Sequence, residues 1–304
     1  MISIIGTGRV GVAAALHVAY RGLDNVTLID IVEGLPQGEA LDLSHMCATL
    51  GIDIDVRGSN DYKDMSGSDL VIVPAGFVRT ADMSRLDLLH KNAGVMKSVG
   101  AAIREYAPKA KVLVVTNPLD AMTYLLCKAT KFDRNHIFGF SGLLDTGRFK
   151  SLVAKELAVS TSSIHPSIIG EHGDSMVLLP RFTFVGGVPL TSLLPNQRIQ
   201  EIIEKTRRMG AEIIRLKKWS ASHSVGAGIA EMAEAVMRDR KAVFPSSVYL
   251  DGEYGVKDLC IVVPTVVGGH GVEKIIELPL NDEEKAAFTK SVEVVRAAVS
   301  QIEL

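Results

Sequence analysis

Ile2-Ser3-Ile4-Ile5-Gly6-Thr7-Gly8-Arg9-Val10-Gly11 opens the chain, and residues 12–20 continue it as an alanine-rich run of helical character. A short apolar strand that enters G-x-G-x-x-G and leaves it as a helix is a dinucleotide-binding turn. Gly6 permits the tight turn, Gly8 lets a pyrophosphate approach the backbone, and Gly11 lets helix pack on strand. The helix N-terminus then faces the phosphates, with Thr7, Arg9 and Val10 as further cofactor contacts. A second strand, Val26-Thr27-Leu28-Ile29, ends in Asp30, about 20 residues beyond the glycines, where an acid accepts the ribose hydroxyls. The 2′-phosphate of NADP would meet a like charge there, so the pattern selects NAD.

The alternation continues outward. Leu70-Val71-Ile72-Val73 runs into Pro74-Ala75-Gly76, and Val112-Leu113-Val114-Val115 runs into Thr116-Asn117-Pro118. Between them, residues 85–106 carry apolar side chains at helical spacing and form a crossover helix or a helix pair. Strands joined by helices through short links predict an α/β fold, an N-terminal Rossmann doubly wound parallel sheet with its ligands at the carboxyl ends of the strands. A last strand at 136–140 closes this unit, so residues 1–141 form the NAD-binding domain and 142–304 a C-terminal α+β catalytic domain. In that second half the pattern gives hairpin-like strands at 176–185, helix over 197–240, strands at 243–250 and 260–263, and a terminal helix over 282–302.

Composition narrows the function classes. A net charge of -2, with 33 basic and 35 acidic residues and no massed basic run, leaves no footprint for nucleic acid. Three cysteines show neither paired nor metal-ligand spacing, so no metal is expected and the cytoplasm is the default compartment. No signal peptide or membrane span is visible at the N-terminal end.

The chemistry concentrates in three further stretches. Ile168-Ile169-Gly170-Glu171-His172-Gly173-Asp174-Ser175 presents one histidine at a strand end among carboxylates, the setting of a general acid/base that works near neutrality. Leu144-Asp145-Thr146-Gly147-Arg148-Phe149 places an acid and an arginine at i, i+3 on one helix face, which alone would be an ordinary surface ion pair. The loop from Gly76 to Arg85 is longer than the fold requires and carries Arg79 and Arg85, as a closing lid would. His270, between glycines, has no partner acid, and His17 and His45 read as structural.

These stretches, together with Asp30-Ile31-Val32-Glu33-Gly34, Met83-Ser84-Arg85-Leu86-Asp87-Leu88 with Asn92, and Val115-Thr116-Asn117-Pro118, resemble in order and spacing the lactate/malate dehydrogenase family, along the whole chain. Within it they are similar to the malate dehydrogenases built like lactate dehydrogenase. The resemblance implies reversible, NAD-dependent hydride transfer between (S)-malate and oxaloacetate, a step of the tricarboxylic acid cycle, in a homotetramer or dimer. His172 would be the general acid/base, Asp145 would orient it, and Arg148 would grip the substrate's C1 carboxylate with a two-pronged hydrogen bond. Arg85 would ride in on the loop and stabilise charge on the carbonyl oxygen. Asn117 would bond substrate, Gly76, Asn92, Val115 and Thr116 would serve the coenzyme, and the Asn117-Pro118 bond would be cis.

Arg79 decides the substrate, because the corresponding position is typically arginine in malate and glutamine in lactate dehydrogenases. Oxaloacetate brings a second carboxylate that Arg79 would pair, whereas pyruvate would leave a buried cation alone. The loop departs from the malate-type Arg-Lys-Pro-Gly-Met-Ser-Arg at Thr80-Ala81-Asp82. Trp219 stands where the family has glycine and reads as packing, with Ala221 and Ser222 facing the substrate methylene. The alternatives are a lactate or broader 2-hydroxy-acid dehydrogenase and, from another class, a non-catalytic NAD(H)-binding sensor.

Overall fold

The computed structural model describes residues 1–78 and 83–303. In chain order it comprises β1 (Ile2–Ile5), α1 (Arg9–Tyr20), β2 (Val26–Ile29), α2 (Leu35–Leu50), β3 (Val56–Ser59), β4 (Leu70–Val73), α3 (Arg85–Tyr106), β5 (Lys111–Val114), α4 (Leu119–Thr130), β6 (Ile137–Phe140) and α5 (Gly142–Leu157). There follow β7 (Ile164–His165), β8 (Ile168–Ile169), β9 (Val177–Leu178), β10 (Phe184–Val185), β11 (Val188–Pro189), α6 (Asn196–Lys217) and α7 (His223–Met237). The chain closes with β12 (Ala242–Asp251), β13 (Lys257–Gly268), β14 (Gly271–Ile275) and α8 (Asp282–Val299).

The first six strands are parallel in the order β3-β2-β1-β4-β5-β6, the doubly wound order whose switch point lies between β1 and β4. Their runs are apolar because helices cover both faces: β1, β2, β4 and β6 are buried at every residue. α1 and α2 pack into one core, while α3 and α4 pack into the other.

The sheet does not stop at β6. β12 pairs antiparallel with it, and β13 and β14 follow, so nine strands form one sheet in the order β14-β13-β12-β6-β5-β4-β1-β2-β3. The hydrophobic cluster on the α1 side accordingly contains Ile4 and Val18 together with Ile229, Val248 and Ile261. α7 crosses α1 so closely that a Cβ on Gly226 would lie 2.5 Å from the carbonyl carbon of Ala13. A third, smaller core holds α5 and α6 against the short strands β7 to β10.

Of the crossover helix or helix pair expected over residues 85–106, the single helix forms, opened by a Ser84–Asp87 capping box. Other local expectations are corrected. The helical stretch 197–240 is two helices, parted at 218–222, where Lys218 takes φ +66° and ends α6. The hairpin expected at 176–185 is instead β9, a turn at Pro180–Phe182 and β10, since Pro180 removes a ladder donor. β13 extends well beyond the expected 260–263, whereas β12 adds one residue at each end of the expected 243–250.

Candidate active site

The carboxyl ends of the parallel strands converge with α5, the loop after β8 and the α6–α7 junction around a cavity of ≈ 500 Å³. Its wall includes Val10, Gly76, Arg85, Val115, Thr116 and Asn117 from the first half, and Arg148, His172, Trp219 and Ala221 from the second.

The glycine turn is built as its spacing requires. A Cβ on Gly6 would meet Ala75 backbone at 2.7 Å, and one on Gly11 would sit 1.8 Å from the carbonyl oxygen of Gly6. Gly8 is different: a Cβ there would meet nothing within 4 Å among the described residues, so none of them requires that glycine. Open space over Gly8, at the uncapped N-terminus of α1, fits a pyrophosphate. Asp30 stands beside it, its carboxylate accepting the Thr7 backbone N–H at 2.6 Å and the Val32 N–H at 3.0 Å. Thr7 Oγ1 donates to the same Asp30 oxygen at 2.9 Å.

Asn92 and Thr116 brace the wall from behind. Asn92 is wholly buried; its Oδ1 accepts the Phe77 N–H at 2.7 Å and its amide donates to the Asn117 carbonyl at 2.6 Å. Thr116 Oγ1 lies 2.6 Å from the Ala75 carbonyl. These two side chains tie the loop after β4 to the loop after β5, where Asn117-Pro118 is cis.

His172, Asp145 and Arg148 come together although the sequence separates them. Asp145, 1 % exposed on the first turn of α5, places Oδ2 at 2.8 Å from His172 Nδ1 and accepts Arg148 Nη1 on Oδ1 at 3.0 Å. Burial works against charge on the imidazole, but Asp145 and then Asp120 outweigh it and raise the ring above its ordinary 6.5. Asp145 is likewise penalised by burial, yet His172 and Arg148 hold it below the usual carboxylate value. Nε of Arg148 is buried with no partner among the described residues. A buried guanidinium N–H left open beside a cavity is where an anionic ligand completes the hydrogen bonding.

Loop geometry keeps the histidine in place. Gly170 exchanges backbone bonds with Val262 of β13 at 2.9 and 3.1 Å, Glu171 N–H donates to Ser291 Oγ of α8 at 2.6 Å, and Ser175 N–H donates to the Glu171 carboxylate at 3.1 Å. The His172 N–H donates to Asp120 at 2.8 Å. Asp120 is a residue that sequence reasoning missed; the available signal was an acid directly after Asn117-Pro118-Leu119 inside the apolar run that continues with Ala121 and Met122.

Other expected residues are placed less simply. Arg85 reaches the cavity wall but bonds Asp174 at 2.6 Å with most of its side chain in solvent. Arg79, with Thr80, Ala81 and Asp82, lies outside the described residues. Ser222 is buried as the residue before α7, not in the cavity wall. Trp219, 39 % exposed, joins the wall and packs there by stacking on the Arg9 guanidinium at 3.9 Å.

Comparison with known proteins accords with this geometry. The NAD-binding domain of lactate/malate dehydrogenase matches residues 1–139, and the alpha/beta C-terminal domain of the same family matches residues 143–303. The chain belongs to the lactate/malate dehydrogenase family. It is 50 % identical over 303 residues to the malate dehydrogenase of Pyrobaculum calidifontis, covering 99 % of this chain and 98 % of that one. The malate dehydrogenase structure from Aeropyrum pernix superposes with a TM-score of 0.95 at 43 % identity, over 100 % and 98 % of the two chains. The lactate dehydrogenase of Cryptosporidium parvum, solved with lactic acid and nicotinamide adenine dinucleotide, gives 0.95 at 38 %, over 98 % and 96 %. NAD is the cofactor of this family member, bound by a Rossmann-type parallel sheet with an α/β C-terminal part.

Proposed function

We propose that the chain catalyses NAD-dependent malate dehydrogenation, the reversible interconversion of (S)-malate and oxaloacetate. The observation that carries this reading is the carboxylate of Asp145, which contacts His172 Nδ1 at 2.8 Å and Arg148 Nη1 at 3.0 Å. One buried acid thereby fixes both a proton donor and a carboxylate-binding cation at the same cavity.

When bound, the coenzyme would supply the chemistry of hydride transfer to or from the substrate's C2. Gly6, Gly8 and Gly11, with Thr7, Arg9 and Val10, would hold its pyrophosphate, and Asp30 would accept the ribose hydroxyls once Thr7 releases its carboxylate. Gly76, Asn92, Val115, Thr116 and Asn117 shape the nicotinamide end. Arg148 binds the C1 carboxylate, and Asn117 adds a hydrogen bond to substrate. His172, protonated at Nε2 while Nδ1–H faces Asp145, donates to the carbonyl oxygen; in the oxidative direction the neutral ring takes the hydroxyl proton. Arg85 leaves Asp174 and stabilises negative charge developing on that oxygen, as a preorganised cation in a water-poor site does.

Substrate choice rests on Arg79. A dicarboxylate buried without a partner would lose several kcal/mol, on the order of 3–5, and Arg79 supplies the partner. The malate dehydrogenases at 50 % and 43 % identity favour this over lactate or broader 2-hydroxy-acid oxidation, and the Asp145–His172–Arg148 arrangement favours an enzyme over a sensor. The test is NADH oxidation with oxaloacetate against pyruvate. Preference for oxaloacetate is expected, and Arg79→Gln should depress oxaloacetate turnover and raise the pyruvate ratio. Equal or better rates with pyruvate in the unaltered protein would reassign the substrate, and NADH binding without reduction of either would make it a sensor.

The division into 1–141 and 142–304, the cytoplasmic setting, a place in the tricarboxylic acid cycle and assembly as a homotetramer or dimer belong to the same proposal. Light scattering of the purified protein distinguishes tetramer, dimer and monomer.

A further inference from the structure

Asp120 is the second carboxylate bonded to residue 172, at its backbone N–H. It lies in the first turn of α4 and is 4 % exposed. Oδ2 accepts the backbone N–H of His172 at 2.8 Å, and Oδ1 accepts the hydroxyl of Ser247, from β12, at 2.6 Å. No lysine or arginine is ion-paired with it among the described residues. A neutral amide could accept the His172 N–H and donate to the Ser247 hydroxyl, and it would do so without the desolvation cost of a buried charge. An acid there needs a cation to favour it, and the imidazole of His172 is the one at hand.

We infer that Asp120 is a positioning residue for the hydride-transfer reaction, anchoring the backbone of residue 172 and presenting a second buried carboxylate to the His172 imidazolium. The inference rests on the proposed function, in which His172 gives and takes the proton. The charged groups acting on the ring are Asp145 and Arg148 on α5 and Asp120 on α4; Arg85 of α3 lines the same cavity, and Glu171, in the same loop as His172, acts on Asp120. Arg148 opposes charge on the imidazole; Asp145 and Asp120 favour it. Burial, with a smaller push from Glu171, lifts the Asp120 carboxyl to about 6, while its bonds to Ser247 and the His172 N–H pull the other way. Above that pH the carboxylate is ionised and supports the imidazolium; below it, the support is withdrawn.

The test is a pair of pH–rate profiles, oxaloacetate reduction and malate oxidation, for the unaltered enzyme, Asp120→Asn and Ser247→Ala. Asparagine keeps an acceptor for the His172 N–H and removes the charge. It should move the alkaline limb of reduction and the acid limb of oxidation to lower pH together, by about one unit. Ser247→Ala leaves the charge but removes a bond that favours it, so the same limbs should move the same way by less. Profiles that superimpose on the unaltered enzyme, whatever happens to kcat, would leave Asp120 a merely structural residue and overturn the inference. If Asp120→Asn does not fold, as read by circular dichroism, the Ser247→Ala profile decides alone. If the unaltered protein reduces no 2-oxo acid, the functional reading has failed separately. The NMR titration of the His172 ring, assigned against His172→Asn, then decides: a shift to lower pH in Asp120→Asn supports the inference, and coincident curves overturn it.

Discussion

Asp145 is a single buried oxygen pair serving two cations, and the consequences are local. Asp145→Asn keeps the shape of α5 but offers His172 an amide that can donate to Nδ1 and select the wrong tautomer. Oxaloacetate reduction should fall about 10²–10⁴-fold while NADH still binds, measured by turnover and by coenzyme fluorescence; an undiminished rate would remove His172 from the chemistry. The pH dependence follows from the same pair. His172 is raised above 6.5, so reduction, which uses the imidazolium, holds below its folded value and declines as pH rises through it. Malate oxidation runs the other way. For stability, the contribution of His172 is complete below 6.5 and lost as pH rises through the raised value. That of Asp145 is complete above 3.8 and lost as pH falls through the lowered one. Thermal unfolding followed across pH should place the pair's greatest contribution between 3.8 and 6.5.

At the scale of the element, the β1–α1 turn was legible because its constraints are local: a backbone contact fixes Gly11, and nothing among the described residues fixes Gly8. Gly11→Ala drives a methyl against the Gly6 carbonyl, which is backbone and cannot swing aside. It should cost more than the roughly 1–3 kcal/mol of ordinary overpacking, seen as a lowered Tm with loss of NADH binding. Gly8→Ala should keep its Tm and weaken NADH alone; equal damage from both substitutions would contradict the assignment of that space to pyrophosphate. The loop after β8 was only half legible. Its histidine announces itself in sequence, but Ser291 and Val262, which hold Glu171 and Gly170, lie far along the chain and carry no local signal. The packing partner of Trp219 was not legible for the same reason, since Arg9 belongs to the opposite half.

For the whole molecule, the continuous nine-stranded sheet means that the halves matched by separate family domains share one core. Residues 1–141 alone would uncover β6 along the edge that pairs with β12, and would bare the part of α1 that packs on α7. The full chain should therefore melt in one cooperative transition, with near-ultraviolet and far-ultraviolet circular dichroism coinciding, and the isolated 1–141 fragment should aggregate or stay partly unfolded. Two separated transitions in the full chain would show the shared core to be energetically minor.

Short-range physics settled what the sequence alone could determine: apolar runs made strands, glycines made the coenzyme turn, and Asp145 with Arg148 shared a helix face because a 3.6-residue period puts them there. Tertiary structure decided the rest. Only folding sets His172 against Asp145 and Asp120, converts an i, i+3 pair that would be worth little at the surface into the buried centre of a site, and adds β12 to the edge of β6. The reason is that proton affinity and desolvation depend on which groups share a small dry volume, and chain separation carries no record of that.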